Sequence, residues 1–213
     1  MTETLNKHQQ RTEATRRKLL AAALRVFSRD GFERSRLEDI AAEAGHTRGA
    51  FYANFASKED LFIALLEHQA ARRVAEISLA LKGTAGPEEC RRTIREFYLS
   101  RAKDRQWNIL MLEFKLYALR HSEHRARFAA AHRRIRSSFH SFHLELTSSV
   151  GHSSALGEQA EKYAKILLEV LLSGLLLEHA YDPKRISAEE VNRLLGRMFD
   201  LVVSDKMAYL QRG

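Results

Sequence analysis

The sequence predicts an all-α protein of about nine helices, and three observations predict it. Among 213 residues Leu and Ala together number 57, whereas Val, Ile and Thr number 23, a balance that favours helix over strand. Gly and Pro together number 12, about half their usual share, so few residues are available to break helices. Apolar residues recur at i, i+3 or i+4, and i+7 along most of the chain, the period of a helix with one buried face. A sandwich, barrel or collagen-like chain is excluded on composition, and the 45% apolar fraction excludes wholesale disorder.

The elements follow in order. Residues 1–11 are polar and are expected to form a flexible N-terminus. From Thr12 a first helix carries Leu20, Leu24 and Phe27 on one stripe and stops at Gly31. Ser35-Arg36-Leu37-Glu38 has the form of a capping box and opens a short helix through Ile40, Ala41 and Ala44, ended by Gly45. Thr47 is the expected N-cap of a second short helix holding Phe51 and Phe55. Ser57-Lys58-Glu59-Asp60 starts a longer helix to about Leu81. Pro87 fits the first position of a helix, and four more helices are expected beyond it at about 88–103, 105–120, 122–149 and 158–180. Gly151–Gly157 reads as a loop of small residues, and Ser187-Ala-Glu-Glu190 caps a last helix to about Leu210.

Cys90 is the single cysteine, so an internal disulfide and a multi-cysteine zinc cage are both excluded. The polar N-terminus has no apolar signal region. The greasiest stretch, Ile166–Leu177, contains Glu169 and is too short to span a bilayer. A cytoplasmic protein that does not engage membranes is the expectation. No GxSxG, P-loop, GxGxxG or HExxH pattern points to an enzyme. The pairs His121/His124 and His140/His143 lack a further local ligand, so no metal and no cofactor are expected.

Formal net charge is +8, which invites a polyanionic partner. It is unevenly spread: residues 1–36 hold nine Lys/Arg against four acids, and residues 101–140 hold ten against three. The six arginines between Arg120 and Arg136 form either a solvated helix face or a surface for DNA flanks or an acidic effector.

Two short helices joined through Ala44-Gly45-His46 match a helix-turn-helix over residues 36–55. With Ile40, Ala41, Phe51 and Phe55 facing inward, Arg48, Gly49, Tyr52, Ala53 and Asn54 are left to face outward. Gly49 inside a helix costs about 1 kcal/mol against Ala, a cost that fits a position where DNA must approach closely.

From about Arg17 to Glu67, through ALRVFSRDGF, DIAAEAG, RGAFYANF and SKEDLF, the chain resembles the DNA-binding domain of the tetracycline-repressor (TetR) family of bacterial regulators. It departs from the family pattern at His46, where an aliphatic residue is usual, and at Asn54, where His is common. The resemblance implies a helix-turn-helix domain over 12–72 and an effector-binding and dimerisation domain over 73–213. It implies a homodimeric transcriptional repressor on a palindromic double-stranded operator, released by a small, largely apolar ligand. Tyr52 and Lys58 would then contact phosphate, and Thr47 and Arg48 would lie at the start of the recognition helix. Ser35, Arg36, Gly49 and Asn54 complete the expected DNA-binding set.

In the C-terminal part the stripe Trp107, Met111 and Phe114, with Phe97, Phe128 and Leu172, is the candidate pocket wall; the alternative is plain core. Glu113 and Tyr117 are expected at the surface. The last two helices are the expected dimer interface, through Leu168, Leu171, Gly174 and Leu175 on one and Leu194, Met198 and Leu201 on the other. The first of them is apolar around its whole circumference, more than one buried face requires. An enzyme and an effector-free architectural DNA binder are the competing classes.

Overall fold

The computed structural model describes residues 7–102, 104–149 and 158–203, all within or between nine helices. They are α1 Lys7–Asp30, α2 Leu37–Glu43, α3 Arg48–Tyr52, α4 Lys58–Leu81, α5 Pro87–Ala102, α6 Arg105–Arg120, α7 Ser122–Ser149, α8 Glu158–Tyr181 and α9 Ala188–Val203. No strand occurs among the described residues.

Local chemistry sets most of these boundaries. Gly31 ends α1 at φ 78° and Gly45 follows α2 at φ 69°, left-handed conformations that cost glycine little. At the end of α2 the amide of His46 donates to the Ala41 carbonyl and that of Gly45 to Ala42, the paired bonds of a Schellman ending. Ser57 Oγ accepts from the Asp60 amide and donates to its carboxylate at the start of α4. At α9 the capping box is complete: Ser187 Oγ accepts from the Glu190 amide, and Glu190 Oε2 accepts from the Ser187 amide and hydroxyl. Asp104 Oδ1 accepts from the Trp107 amide at the start of α6.

The start of α1 differs from expectation. α1 begins at Lys7, so residues 7–11 are helical rather than part of a flexible tail. Their side chains are polar, and a turn without a buried face leaves no periodic signal. The expected end of α9 near Leu210 lies outside the described residues, as does the Gly151–Gly157 loop.

The chain forms two compact units. The first comprises Met1–Arg73 with Ile109–Phe139, and the second Val74–Asn108 with His140–Gly213. The domain division expected between residues 72 and 73 therefore omits a return: much of α6 and α7 belongs with the N-terminal helices. The reason is aromatic packing. Phe27, Phe32 and Phe62 meet one another at centroid separations of 5.2, 5.1 and 4.4 Å. Phe114 lies against Phe62 at 5.8 Å and stacks on Phe128 at 4.8 Å. Tyr117 closes the cluster against Phe32 at 4.6 Å and Phe128 at 5.3 Å.

Polar links surround this core. Tyr117 Oη donates to Glu59 Oε1 at 2.9 Å, and the Glu113 carboxylate accepts weakly from the Phe32 amide at 3.4 Å. Tyr117 is thus buried and Glu113 half-buried, against the expectation that both lie at the surface. A Cβ on Gly31 would stand 3.3 Å from Glu113 Oε1, so the αL glycine also makes room for this carboxylate.

In the second unit Leu172 and Leu176 of α8 pack with Val191 and Leu195 of α9, joined by Leu99, Leu175 and Ile186. A second cluster joins Cys90, Ile94 and Phe199. Arg95 Nε donates to Asp200 Oδ1 at 3.2 Å. Its guanidinium crosses α9 so closely at Gly196 that a Cβ there would overlap it.

Candidate nucleic-acid interface

Both helices of the helix-turn-helix expected over residues 36–55 are short: α2 has seven residues and α3 five. Ile40, Ala41, Phe51 and Phe55 are buried between them and α1. Beyond Tyr52 the chain leaves the helix in a tight turn, with the Asn54 and Phe55 amides both donating to the Phe51 carbonyl at 2.9 Å.

The start of α2 is also built differently from expectation. Its N-cap is Arg36, in extended conformation, and no side chain caps it. The Ser35-x-x-Glu38 capping box does not form because the buried Ser35 hydroxyl donates backwards to the Gly31 carbonyl. Ser35 therefore stabilises the α1–α2 turn, and Arg36 is exposed beside it.

Thr47 does cap α3, its Oγ1 accepting from the Ala50 amide at 3.2 Å. Thr47, Arg48, Gly49, Tyr52 and Ala53 are exposed and share the outer side of α3. Tyr52, a large aromatic residue, is 46% exposed. At Gly49 a Cβ would meet only Thr47 Oγ1, at an ordinary 3.7 Å. Nothing inside the chain demands glycine there.

Arg48 is held along this face. Its Nη1 lies 2.9 Å from Glu38 Oε1 of α2, and its Nη2 donates to Tyr52 Oη at 3.3 Å. The hydrogen bond to Tyr52 and the charges of Tyr52 and Glu38 hold its pKa above the ordinary arginine value. The guanidinium is thus directed across the outer face of α3 before any DNA arrives. Glu38 is a participant that the sequence pattern does not pick out, because it faces Arg48 only once the turn has brought α2 and α3 together.

Two expected contacts are placed differently. The Lys58 ammonium donates to the carbonyls of Phe32 at 2.8 Å, Glu33 at 3.1 Å and Ser35 at 3.1 Å, and lies 4.6 Å above the Phe32 ring. Three acceptors take up its three N–H donors, leaving none for a phosphate while this turn stands. Burial pushes its pKa down, opposed by the charges of Glu59 and Glu33. The Asn54 side chain does not face outward: its Nδ2 donates to the Ala50 carbonyl at 2.8 Å, and its Oδ1 is buried without a partner. Both residues hold the motif's frame.

The arginines of the 120–136 segment reach acids of the same unit. Arg120 pairs with Glu33 at 3.1 Å, Arg127 with Asp60, and Arg134 with Glu67 at 2.7 Å. Arg127 and Arg134 are seven residues apart, as are Asp60 and Glu67, so these two pairs run as a ladder between α7 and α4, while Arg120 at the end of α6 reaches Glu33 in the α1–α2 turn. His121 adds contacts to Glu33 at 3.2 Å and Glu123 at 3.5 Å. Among the described residues no group of His, Cys, Asp and Glu is placed to hold a metal; the side chains of His140 and His143 lie outside them.

The six candidate pocket residues do not form one wall within either unit. Met111, Phe114 and Phe128 belong to the first unit, and Phe97, Trp107 and Leu172 to the second. Phe114 and Phe128 are stacked inside the aromatic core, and Leu172 sits in the α8–α9 cluster.

On α8, Leu167, Val170, Leu171 and Leu177 are exposed, as is Leu194 on α9. Gly174 is open, while Leu175 and Met198 are half-buried. The side chains of Leu168 and Leu201 lie outside the described residues. No described helix is long and apolar enough to cross a membrane.

These features define a helix-turn-helix regulator: a short outward-facing helix braced on two others, carried on an all-helical body. Residues 19–65 match the family model of the bacterial regulatory proteins of the tetR family. Residues 87–204 match that of the C-terminal domain of BetI-type transcriptional repressors. The chain belongs to the TetR family. It is similar to the HTH-type transcriptional repressor NicS of Pseudomonas putida, with 40% identity over 41% of this chain and 42% of that protein. The match thus spans less than half of that relative's length.

Solved structures share the fold. A TetR-family regulator from Rhodococcus superposes over 90% of this chain and 100% of its own, with TM-score 0.72 and 21% identity. FadR of Bacillus subtilis, solved in complex with stearoyl-CoA, covers 89% of this chain and 98% of its own, with TM-score 0.63 and 19% identity.

Proposed function

We propose that the protein is a homodimeric, cytoplasmic repressor of transcription that holds a palindromic operator and releases it when a small, largely apolar ligand binds the C-terminal domain. The observation that carries the DNA-binding reading is the open face of α3. Thr47, Arg48, Gly49 and Tyr52 present a guanidinium, two hydroxyls and an uncrowded backbone with no protein over them. That face suits a major groove, where an Arg bridges guanine O6 and N7 and hydroxyls take phosphate. It is supported by the NicS relative, itself a repressor.

The homodimer rests on α8 and α9. Leu167, Val170, Leu171, Leu177 and Leu194 leave an apolar surface in water, and a two-fold pairing of these helices covers it. The ligand reading rests on the helical C-terminal domain and on a structural neighbour bound to stearoyl-CoA. With Phe114 and Phe128 committed to the aromatic core, Phe97 and Trp107, both of the second unit, remain as candidates for the wall of such a site.

Selection of bound sequences from a random duplex library tests the function. The expected result is a palindrome, lost in Arg48→Ala, which should weaken operator binding roughly ten- to a hundredfold per half-site and random DNA far less. Equal weakening on both DNAs would make Arg48 a phosphate clamp. Sedimentation of Leu171→Arg, expected to move the dimer toward monomer, tests the interface; an unchanged dimer would place it elsewhere.

A further inference from the structure

The sequence Arg16-Arg17-Lys18 on α1 presents three cations in a row, the usual mark of a segment that tracks phosphate. The structure separates them. Arg17 and Lys18 are exposed, but Arg16 is half-buried and turned toward the end of the recognition helix. Its guanidinium lies 4.3 Å above the Phe55 ring centroid, and its Nη1 donates to the Asn54 carbonyl at 3.2 Å. Phe55 is buried against Phe51, the residue that anchors α3 from inside.

This matters because α3 is only five residues long. A helix of one and a half turns has too few internal hydrogen bonds to hold its own direction. Its start is fixed by Thr47 and the α2 turn. Its exit rests on the Ala53–Phe55 turn, where the Asn54 amide folds back on Ala50 and its Oδ1 finds no partner. Arg16 reaches this exit from α1, with a cation–π contact to Phe55 and a directed hydrogen bond to Asn54 together.

We propose that Arg16 is a positioning residue for DNA reading: it fixes the exit of α3 and so the angle at which Arg48, Gly49 and Tyr52 meet base edges, and it does not act as a phosphate contact. The inference rests on the DNA-binding reading above. Two properties follow. The charge alone is insufficient, because a lysine ammonium supplies neither the flat stack nor the guanidinium fork. The effect falls on discrimination between sequences, because a small tilt of a bidentate contact costs base recognition while backbone contacts adapt.

The test compares full-length wild type, Arg16→Ala, Arg16→Lys and Phe55→Leu on the duplex that wild type selects from a random library and on unrelated duplex, across a salt series. Arg16→Ala is expected to lower the operator-to-random affinity ratio at least about tenfold, with random-DNA affinity and salt slope unchanged. Arg16→Lys is expected to follow Arg16→Ala. Phe55→Leu keeps an apolar filler but removes the ring, and is expected to lower the same ratio, with Arg16→Ala adding little in the double variant.

The inference is overturned if Arg16→Ala weakens both DNAs equally and lowers the salt slope by about two per dimer while Arg16→Lys restores it, since that is a phosphate contact. It is equally overturned if Arg16→Ala lowers the melting temperature but leaves the ratio intact, since that is a purely structural role. A wild type that selects no sequence at all refutes the DNA-reading function itself, before any variant is measured.

Discussion

Replacing Phe114 by alanine separates two meanings of one aromatic stripe. The sequence alone offers Phe114 as a pocket wall or as core. In the structure its ring is 2% exposed, stacked on Phe128 at 4.8 Å and set edge-on to Phe62 at 5.8 Å. Truncating a buried Phe to Ala costs about 3–5 kcal/mol, through lost transfer energy and the cavity left behind. Each aromatic pair accounts for about 0.5–1.5 kcal/mol beyond its area, so two broken pairs place the expected loss toward the upper end. At about 2–4 °C per kcal/mol for a chain of this size, the melting temperature should fall by about 10–20 °C. Operator binding should weaken with it, because Phe62 and Phe32 of the same cluster carry α4 and the α1–α2 turn beneath the helix-turn-helix. The assay is a calorimetric melt alongside operator titration. A variant that melts within about 3 °C of wild type yet responds differently to ligand would refute the core assignment and return Phe114 to a pocket wall.

Lys58→Met keeps an apolar stem but removes the ammonium that donates to three carbonyls and lies over the Phe32 ring. It should destabilise the protein by about 1–3 kcal/mol and leave the salt slope of random-DNA binding unchanged, whereas a slope lowered by about two per dimer would show the phosphate contact that family resemblance implies. Glu33 responds to acid: its hydrogen bond from His121, then the charge of Arg120, holds its carboxyl below 4.5. A depressed carboxylate contributes stability above its unfolded value and loses it as pH falls through the folded one, so Glu33→Gln should flatten the acid limb of a stability profile below about pH 4.5. Tyr117 responds to base: burial, then its bond to Glu59, raises its pKa above the ordinary 10.0. Its stabilising share is present below pH 10 and is lost as pH rises through the folded value, so absorbance at alkaline pH should show a late tyrosine step that Tyr117→Phe removes.

What the sequence discloses is the local chemistry, and what it withholds is the partner. Gly31, Gly45, Pro87 and the Ser187–Glu190 box mark helix ends through forces acting within a few residues, and each stands where expected. Ser35 shows the limit of such rules. The same Ser-x-x-Glu pattern could serve α2, but the left-handed Gly31 turn brings a nearer acceptor to the hydroxyl. Periodicity places Phe114 on the apolar stripe of one helix and Phe128 on that of the next, and both are buried. It carries no information on whether those stripes wall a pocket or meet Phe62 of α4. Arg16 and Lys58 pose the same problem in the site: a cation near a helix-turn-helix suggests phosphate, and only the fold reveals carbonyls and an aromatic ring within closer reach.

The net charge of +8 meets this limit most sharply in α7. The six arginines between Arg120 and Arg136, from the end of α6 along α7, read on charge alone as a solvated helix face or as a surface for DNA flanks or an acidic effector. Each of Arg120, Arg127 and Arg134 is instead matched to Glu33, Asp60 or Glu67, so much of this charge is neutralised within the first unit. Arg134 tests the point best, because both its Nε and its Nη2 donate to Glu67 Oε1, at 2.9 and 2.7 Å. With the pair solvent-exposed, its loss should cost no more than about 1 kcal/mol, so Arg134→Ala remains folded and its DNA binding can be measured. A ladder rung removed in this way should leave the salt slope as it was. Charge exchange in Arg134→Glu with Glu67→Arg should restore what either reversal alone takes from stability. A salt slope reduced by about one per subunit in Arg134→Ala, with no rescue by the exchange, would place this arginine on the DNA and make α7 an extension of the operator-binding surface.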